Sequence, residues 1–261
     1  MSIKTSFQGL LIYLAMALYL AALVMSILRR QRACQRLFLA GCISTMLAII
    51  YRWAHTGHPP MQNLFEVFLW LGLLAYPASL ASDRILGLSS VRADICIGIL
   101  ALIPAGLVFS DQPQALPAAL QSPLFIPHVA MYMISYMFMA KAGYWAIIQL
   151  TSRPGQVQTT ADRATYMTIC AGLPFMTAGL LLGSIWGHYA WGDWWGWDPK
   201  EMWSLACWSV FLLYLHVRSG TGVRYPRLNP ILALTGLAFI VITLLWVNLS
   251  RLFAGLHSYA V

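Results

Sequence analysis

Eight apolar runs organise this 261-residue chain, at roughly 8–28, 37–53, 64–81, 95–110, 128–149, 169–189, 201–217 and 230–250. A hydrocarbon core takes ~20 helical residues to cross. Runs of this length predict an all-α, polytopic integral membrane protein of about eight transmembrane helices. The composition agrees, since 60% hydrophobic and 9% charged residues with a mean hydropathy of +0.70 do not describe a soluble domain. The second, fourth and seventh runs are short and draw on their flanks. Arg29, Arg30 and Arg32 follow the first run with no small-residue cleavage site, so it reads as a retained span rather than a signal peptide.

Lysine and arginine set the expected orientation. With the N-terminus outside the cytoplasm, the inside loops hold Arg29, Arg30, Arg32, Arg36, Arg84, Arg92, Arg153, Arg163, Arg218, Arg224 and Arg227. The outside then holds Lys4, Arg52, Lys200 and Arg251, and Lys141 falls within a span. Eleven against four is a strong positive-inside bias, and it puts both termini on the outer, periplasmic side. The net charge of +8 is thereby explained without a nucleic-acid partner. No loop exceeds about twenty residues, too few for a separate core. Residues 1–261 therefore read as a single membrane domain, with two N-terminal helices (1–53) ahead of a core (54–261).

Six of the eleven tryptophans lie between Trp186 and Trp203, where random placement would put fewer than one. Indole is bulky and amphipathic, so the cluster reads either as a membrane-interface belt or as a platform for a large flat ligand. Density favours the platform, because belts spread Trp and Tyr over many helix ends. Asp198, Pro199 and Glu201 sit at the N-cap, N1 and N3 positions of a capping box that starts the seventh helix. The cysteines at 34, 42, 96, 170 and 207 form no CxxC or CxxCH, which argues for structural roles.

The orientation sends segments 52–63, 111–127, 190–200 and 251–261 outward. His128, His257 and the tryptophan-rich loop then share one face. Imidazoles ligate haem iron and indoles cover a macrocycle, so this set suits a haem site. His216 lies toward the cytoplasmic end of span seven. An ionisable group inside a span is a functional candidate.

The stretch Trp191–Leu205 (WGDWWGWDPKEMWSL) resembles the tryptophan-rich WWD signature of haem-handling proteins in cytochrome c maturation. Its tail, Pro199-Lys200-Glu201 with Trp203-Ser204-Leu205, is similar to the CcsA (ResC) branch of the System II cytochrome c synthases. Four further matches run in order along the chain. They are Gly57-His58-Pro59-Pro60 with Asn63, Phe65 and Glu66; Leu120-Gln121-Ser122 with Pro127-His128-Val129 and Ser135-Tyr136; Tyr214-Leu215-His216-Val217-Arg218; and Gly255-Leu256-His257-Ser258-Tyr259. Phe65 stands where the family has Tyr.

The resemblance implies a haem-exporting and haem-presenting subunit of a holocytochrome c synthase, with haem b as substrate and bound ligand and no catalytic side chain. Its haem-binding set maps onto His128, His257, His216, Trp191, Trp194, Trp195, Trp197 and Asp198, with the three histidines as axial iron ligands. The implied partners are a CcsB (ResB)-like membrane subunit, apocytochrome c carrying CxxCH and, indirectly, thiol-reducing proteins. The implied location is a bacterial inner membrane, or a thylakoid membrane for a plastid-encoded chain. His55 and His188 match nothing in the pattern and read as interfacial polar residues. Lys141 and Glu66 read as candidates for the haem propionates, for each other, or for buried structural pairs. A membrane b-type cytochrome and a transporter that cages its solute with tryptophans remain open as rival classes. The haem content and spectrum of the purified protein discriminate all three.

Overall fold

A computed structural model describes residues 3–220 and 227–249. Each apolar run falls on a helix, and several helices extend well beyond their run. The helices are α1 (Phe7–Ile27), α2 (Gln31–Thr56), α3 (Leu64–Leu86), α4 (Val91–Ile103), α5 (Phe125–Thr151), α6 (Gln156–Trp191), α7 (Pro199–Gly220) and α8 (Leu228–Val241). A π-helical turn, Pro104–Val108, prolongs α4, and another, Ile242–Trp246, prolongs α8. No strand occurs among the described residues. Six helices are long and apolar enough to cross a membrane: α1, α2, α3, α4 with its π turn, α6, and α8 with its extension. The other two, α5 and α7, are those that carry His128 and His216.

The chain forms two compact units, Met1–Gln121 and Ser122–Val261. In the first, α1–α4 close a ring of neighbouring helices. Its centre is Tyr19, fully buried, whose hydroxyl donates to the Gly72 carbonyl at 2.9 Å. A Cβ on Gly41 would lie 2.4 Å from the Tyr19 ring, so this close approach requires glycine. Pro77 inside α3 cannot bond back to Leu73, and the freed carbonyl accepts from the Cys42 thiol at 3.6 Å. Cys42 is thus structural, as expected, and all five cysteines are free thiols.

One end of this unit is a buried ionic knot. Arg52 and Glu66, 2% and 1% exposed, pair at 2.9 Å. The second Glu66 oxygen accepts from the Gln62 amide at 2.8 Å. Arg52 also donates to the carbonyls of Asp111 and Gln112, and the Lys4 ammonium donates to the Phe109 carbonyl at 2.7 Å. Both cations flank the Phe65 ring. Glu66 therefore belongs to a structural pair whose partner is Arg52. Two of the four cations assigned to the outer side are internal ties that fasten the 109–112 segment.

In the second unit α5 packs against α6 and α8, and α7 against α8 and α6. Met139, Ala142, Ile169, Met176, Cys207, Phe211 and Ala233 fill its centre. With lipid outside, small residues that let helices approach supply the packing. Gly172, Gly179 and Gly183 line α6 where it meets Phe138, Tyr132 and His128 of α5. The 36-residue α6 is ~54 Å long at 1.5 Å per residue, well beyond a ~30 Å core. Hydropathy marked only its apolar part; the polar turns from Gln156 to Thr168 are helical as well.

Candidate functional site

The Trp-rich segment is an ordered turn between α6 and α7. Gly192 ends α6 at φ +90°, and its N–H returns to the His188 carbonyl at 3.0 Å. The expected capping box is present. The Asp198 carboxylate accepts from the Lys200 N–H at 2.8 Å, and Glu201 accepts from the Asp198 N–H at 3.2 Å. The same Glu201 oxygen also accepts from the Gly196 N–H at 2.8 Å. It therefore clasps the residues on either side of Trp197, which adopts a left-handed backbone at φ +55°. That conformation costs a side-chain-bearing residue ~1–2 kcal/mol, so the clasp and the cap hold the indole in place.

The indoles divide by role. Trp194 and Trp197 are 57% and 67% exposed. Trp194 stacks on His188 with centroids 4.4 Å apart and planes 6° from parallel. The His188 Nδ1 lies 3.1 Å from the Gly192 carbonyl, so His188 is a brace for the loop rather than only an interfacial polar residue. Trp195 meets Trp197 edge-on at 6.2 Å. Its buried indole N–H has no acceptor among the described residues. Trp191 packs edge-on at 4.8 Å against Trp186, which is 1% exposed.

Trp186 connects the loop to α5. Its ring centroid lies 5.6 Å from that of His128, and Tyr132 meets the imidazole near-perpendicular with centroids 5.2 Å apart. His128 Nδ1 lies 2.8 Å from the Gly179 carbonyl. A carbonyl oxygen only accepts, so Nδ1 carries a proton, and in the neutral ring the lone pair is on Nε2. A backbone carbonyl fixes metal-binding imidazoles in this way. Trp186 was not among the residues expected at the site. Its place in the tryptophan cluster was visible, but its burial against His128 was not. Burial pushes the half-buried Lys200 ammonium down to about 8, against the opposing pull of the Asp198 carboxylate.

His216 sits at the opposite end of the unit. Seventeen residues of α7 separate it from Pro199, ~25 Å at 1.5 Å per residue. It lines a surface cleft of about 660 Å³ with Tyr166 and Cys170 of α6 and Leu212, Leu215, Arg218 and Ser219 of α7. The structure thus brings His128, Trp191, Trp194, Trp195, Trp197 and Asp198 to one end of the unit and His216 to the other. His257 lies outside the described residues, as does the Gly255–Tyr259 match. In the first unit, His58 sits in a loop tied down by the Trp70 indole donating to the Pro60 carbonyl at 2.8 Å. His55 stacks on Tyr51 at 3.9 Å.

Comparison with known proteins gives this arrangement a family. Residues 6–254 match the cytochrome C assembly protein family. The chain is 31% identical over 255 residues to the cytochrome c biogenesis protein CcsA of Guillardia theta, covering 84% of this chain and 82% of the relative. It is 29% identical to the CcsA of Parasynechococcus marenigrum, covering 96% and 94% of the two chains. The CcsA of Synechococcus sp. (strain RCC307) is likewise 29% identical, covering 87% and 85%. A helical chain with this order of motifs, matched over nearly its whole length, belongs to the cytochrome c assembly family as a CcsA-type cytochrome c biogenesis protein.

Proposed function

We propose that this protein takes up haem b near His216, moves it outward and presents it on the Trp191–Trp197 loop to apocytochrome c. The observation that carries this reading is the state of His128. Its Nδ1–H is committed to the Gly179 carbonyl, so the nitrogen with the lone pair is Nε2. That imidazole packs against Trp186 and Tyr132, and Trp186 packs in turn on Trp191 of the tryptophan loop. The residues present suit a flat, anionic tetrapyrrole. They offer one oriented imidazole, two exposed indoles and a buried indole donor without an acceptor.

His128 and His257 would hold the iron axially, with Trp194 and Trp197 shielding the macrocycle. The haem supplies two vinyl groups, to which the CxxCH thiols add as S–H across C=C. The protein positions the reactants and sets ligation. A CcsB (ResB)-like subunit would supply the ligand opposite His216, in a System II synthase of a bacterial inner membrane or a thylakoid membrane. Both termini would lie on the side where apocytochrome is met.

The test replaces His128 or His257 by Ala in the full chain, co-expressed with its companion subunit. Either change should lower bound haem or shift its spectrum and abolish cytochrome c maturation. Added imidazole should restore part of it by filling the open axial position. Full maturation in both single variants would overturn the reading.

A further inference from the structure

A haem that His216 ligates at its iron brings two propionates with it, and a carboxylate beside a half-apolar cleft needs a cation. Arg218 lines the same cleft as His216. Its guanidinium lies 4.7 Å from the Tyr166 ring centroid, and its Nη1 meets Asp162 at 2.8 Å. The other Asp162 oxygen accepts from the Gln149 amide of α5 at 3.0 Å. Arg218 is therefore held from two sides at the junction of α6 and α7, with its side chain 24% exposed. An arginine fork carries five N–H donors, and Asp162 engages one terminal nitrogen, so capacity for a second carboxylate remains.

Residues two apart on an α-helix project about 200° apart, yet His216 and Arg218 both line this cleft. A ligand that meets both is therefore one broad enough to reach from one flank of α7 to the other. Leu212 and Leu215 supply apolar wall, and about 660 Å³ is within the usual range for a ligand of this class. We propose that Arg218, held over Tyr166 by Asp162, is the carboxylate-binding edge of the His216 cleft and receives a haem propionate. This rests on the haem-uptake reading above and adds to it a residue that selects for the acid side chains.

The experiment titrates haem b and its dimethyl ester into the purified full chain in detergent, in a His128→Ala/His257→Ala background that removes both proposed outer-site ligands. Arg218→Gln should weaken haem b roughly tenfold, the scale of one charge-assisted hydrogen-bond pair. It should leave the dimethyl ester unchanged, and Arg218→Lys should recover part of the loss. Asp162→Asn removes the same internal ion pair but keeps the guanidinium, and it should bind haem b at least as well as the parent. An equal loss for acid and ester, or a loss in Asp162→Asn matching that of Arg218→Gln, would make Arg218 a structural residue and overturn the proposal. So would unaltered binding in Arg218→Gln, or no binding by the parent. His216→Ala separates the two readings. A Soret band unmoved by His216→Ala beside an Arg218→Gln defect confined to the acid removes ligation and keeps the propionate edge. The reverse pattern removes the edge and keeps ligation.

Discussion

At the scale of single residues, Trp197 combines a cost with a constraint. It holds a backbone conformation that glycine would adopt freely, and Glu201 clasps the N–H groups on either side. Trp197→Gly should therefore preserve or raise thermal stability by up to about 1 kcal/mol while haem retention falls. Asp198→Ala should cost the start of α7 about 1 kcal/mol, too little to unfold the unit, and should also lower haem retention. Thermal melts beside haem content check both. If the two variants keep haem and maturation, the loop is an interface anchor. Lys200 adds a pH dependence. Its folded value near 8 lies below the ordinary 10.5, so the folded protein sheds this proton first as pH rises. Between about pH 8 and 10.5 the unfolded chain binds more protons, and stability should rise with pH across that window. Lys200→Gln should abolish the gain between pH 7.5 and 9.5 in melts of the purified protein. The cap was legible in the sequence because Asp-Pro-Lys-Glu is local chemistry. The left-handed Trp197 was not, because no short-range signal forces a β-carbon-bearing residue there.

Among the helices, the sequence located every apolar core but misjudged extent where polarity and helicity part company. Hydropathy reports contact with lipid, whereas backbone hydrogen bonding continues through the polar turns of Gln31–Arg36 and Gln156–Thr168. The two helices outside the six long, apolar ones, α5 and α7, are rich in Tyr and Trp and bear Lys141, His128 or His216. Those side chains are what a helix facing protein and ligand carries. The contact between α5 and α6 shows how the candidate ligand His128 is held by what is missing opposite it. A Cβ on Gly183 would stand 2.5 Å from His128 Cε1 and 2.7 Å from its Nδ1. Gly183→Ala should push the imidazole off the Gly179 carbonyl and release its tautomer. The expected outcome is a loss of haem retention approaching that of His128→Ala, with helix content by circular dichroism unchanged. An unaltered haem spectrum in Gly183→Ala would show that the tautomer lock is dispensable. Nothing in the sequence pairs these residues, because they lie 55 positions apart and meet only through the packing of two helices.

For the whole molecule, what the sequence left open was the partnership among its rare charges. Counting arginines by loop treated Arg52 as an outer exception and Glu66 as a candidate for ligand, yet each is the other's partner at 2.9 Å. A count by loop is blind to pairs fourteen residues apart across a helix–loop–helix joint. Sidedness therefore rests on the remaining arginines and on the two ends of the second unit. His128 and the tryptophan turn lie at one end, and Asp162, His216 and Arg218 lie at the other. In the proposed function, the direction of haem movement depends on which end faces the cytoplasm, and α6 allows a direct measurement. Thr159, in its first turn, and Gly192, which caps its end, bracket a helix long enough to protrude on both sides of a bilayer. Cysteine reporters at these two positions, in a background with the native cysteines replaced, should label in opposite patterns. Gly192→Cys should react with an impermeant maleimide applied to intact spheroplasts, and Thr159→Cys only after lysis. A third reporter at Val261 should behave like Gly192, since His257 serves the same site as His128 only from that side. If Thr159→Cys labels first, the haem path runs inward and the export reading falls. If Val261 alone labels from the cytoplasm, His257 is severed from the tryptophan loop, and the iron presented there needs a different second ligand.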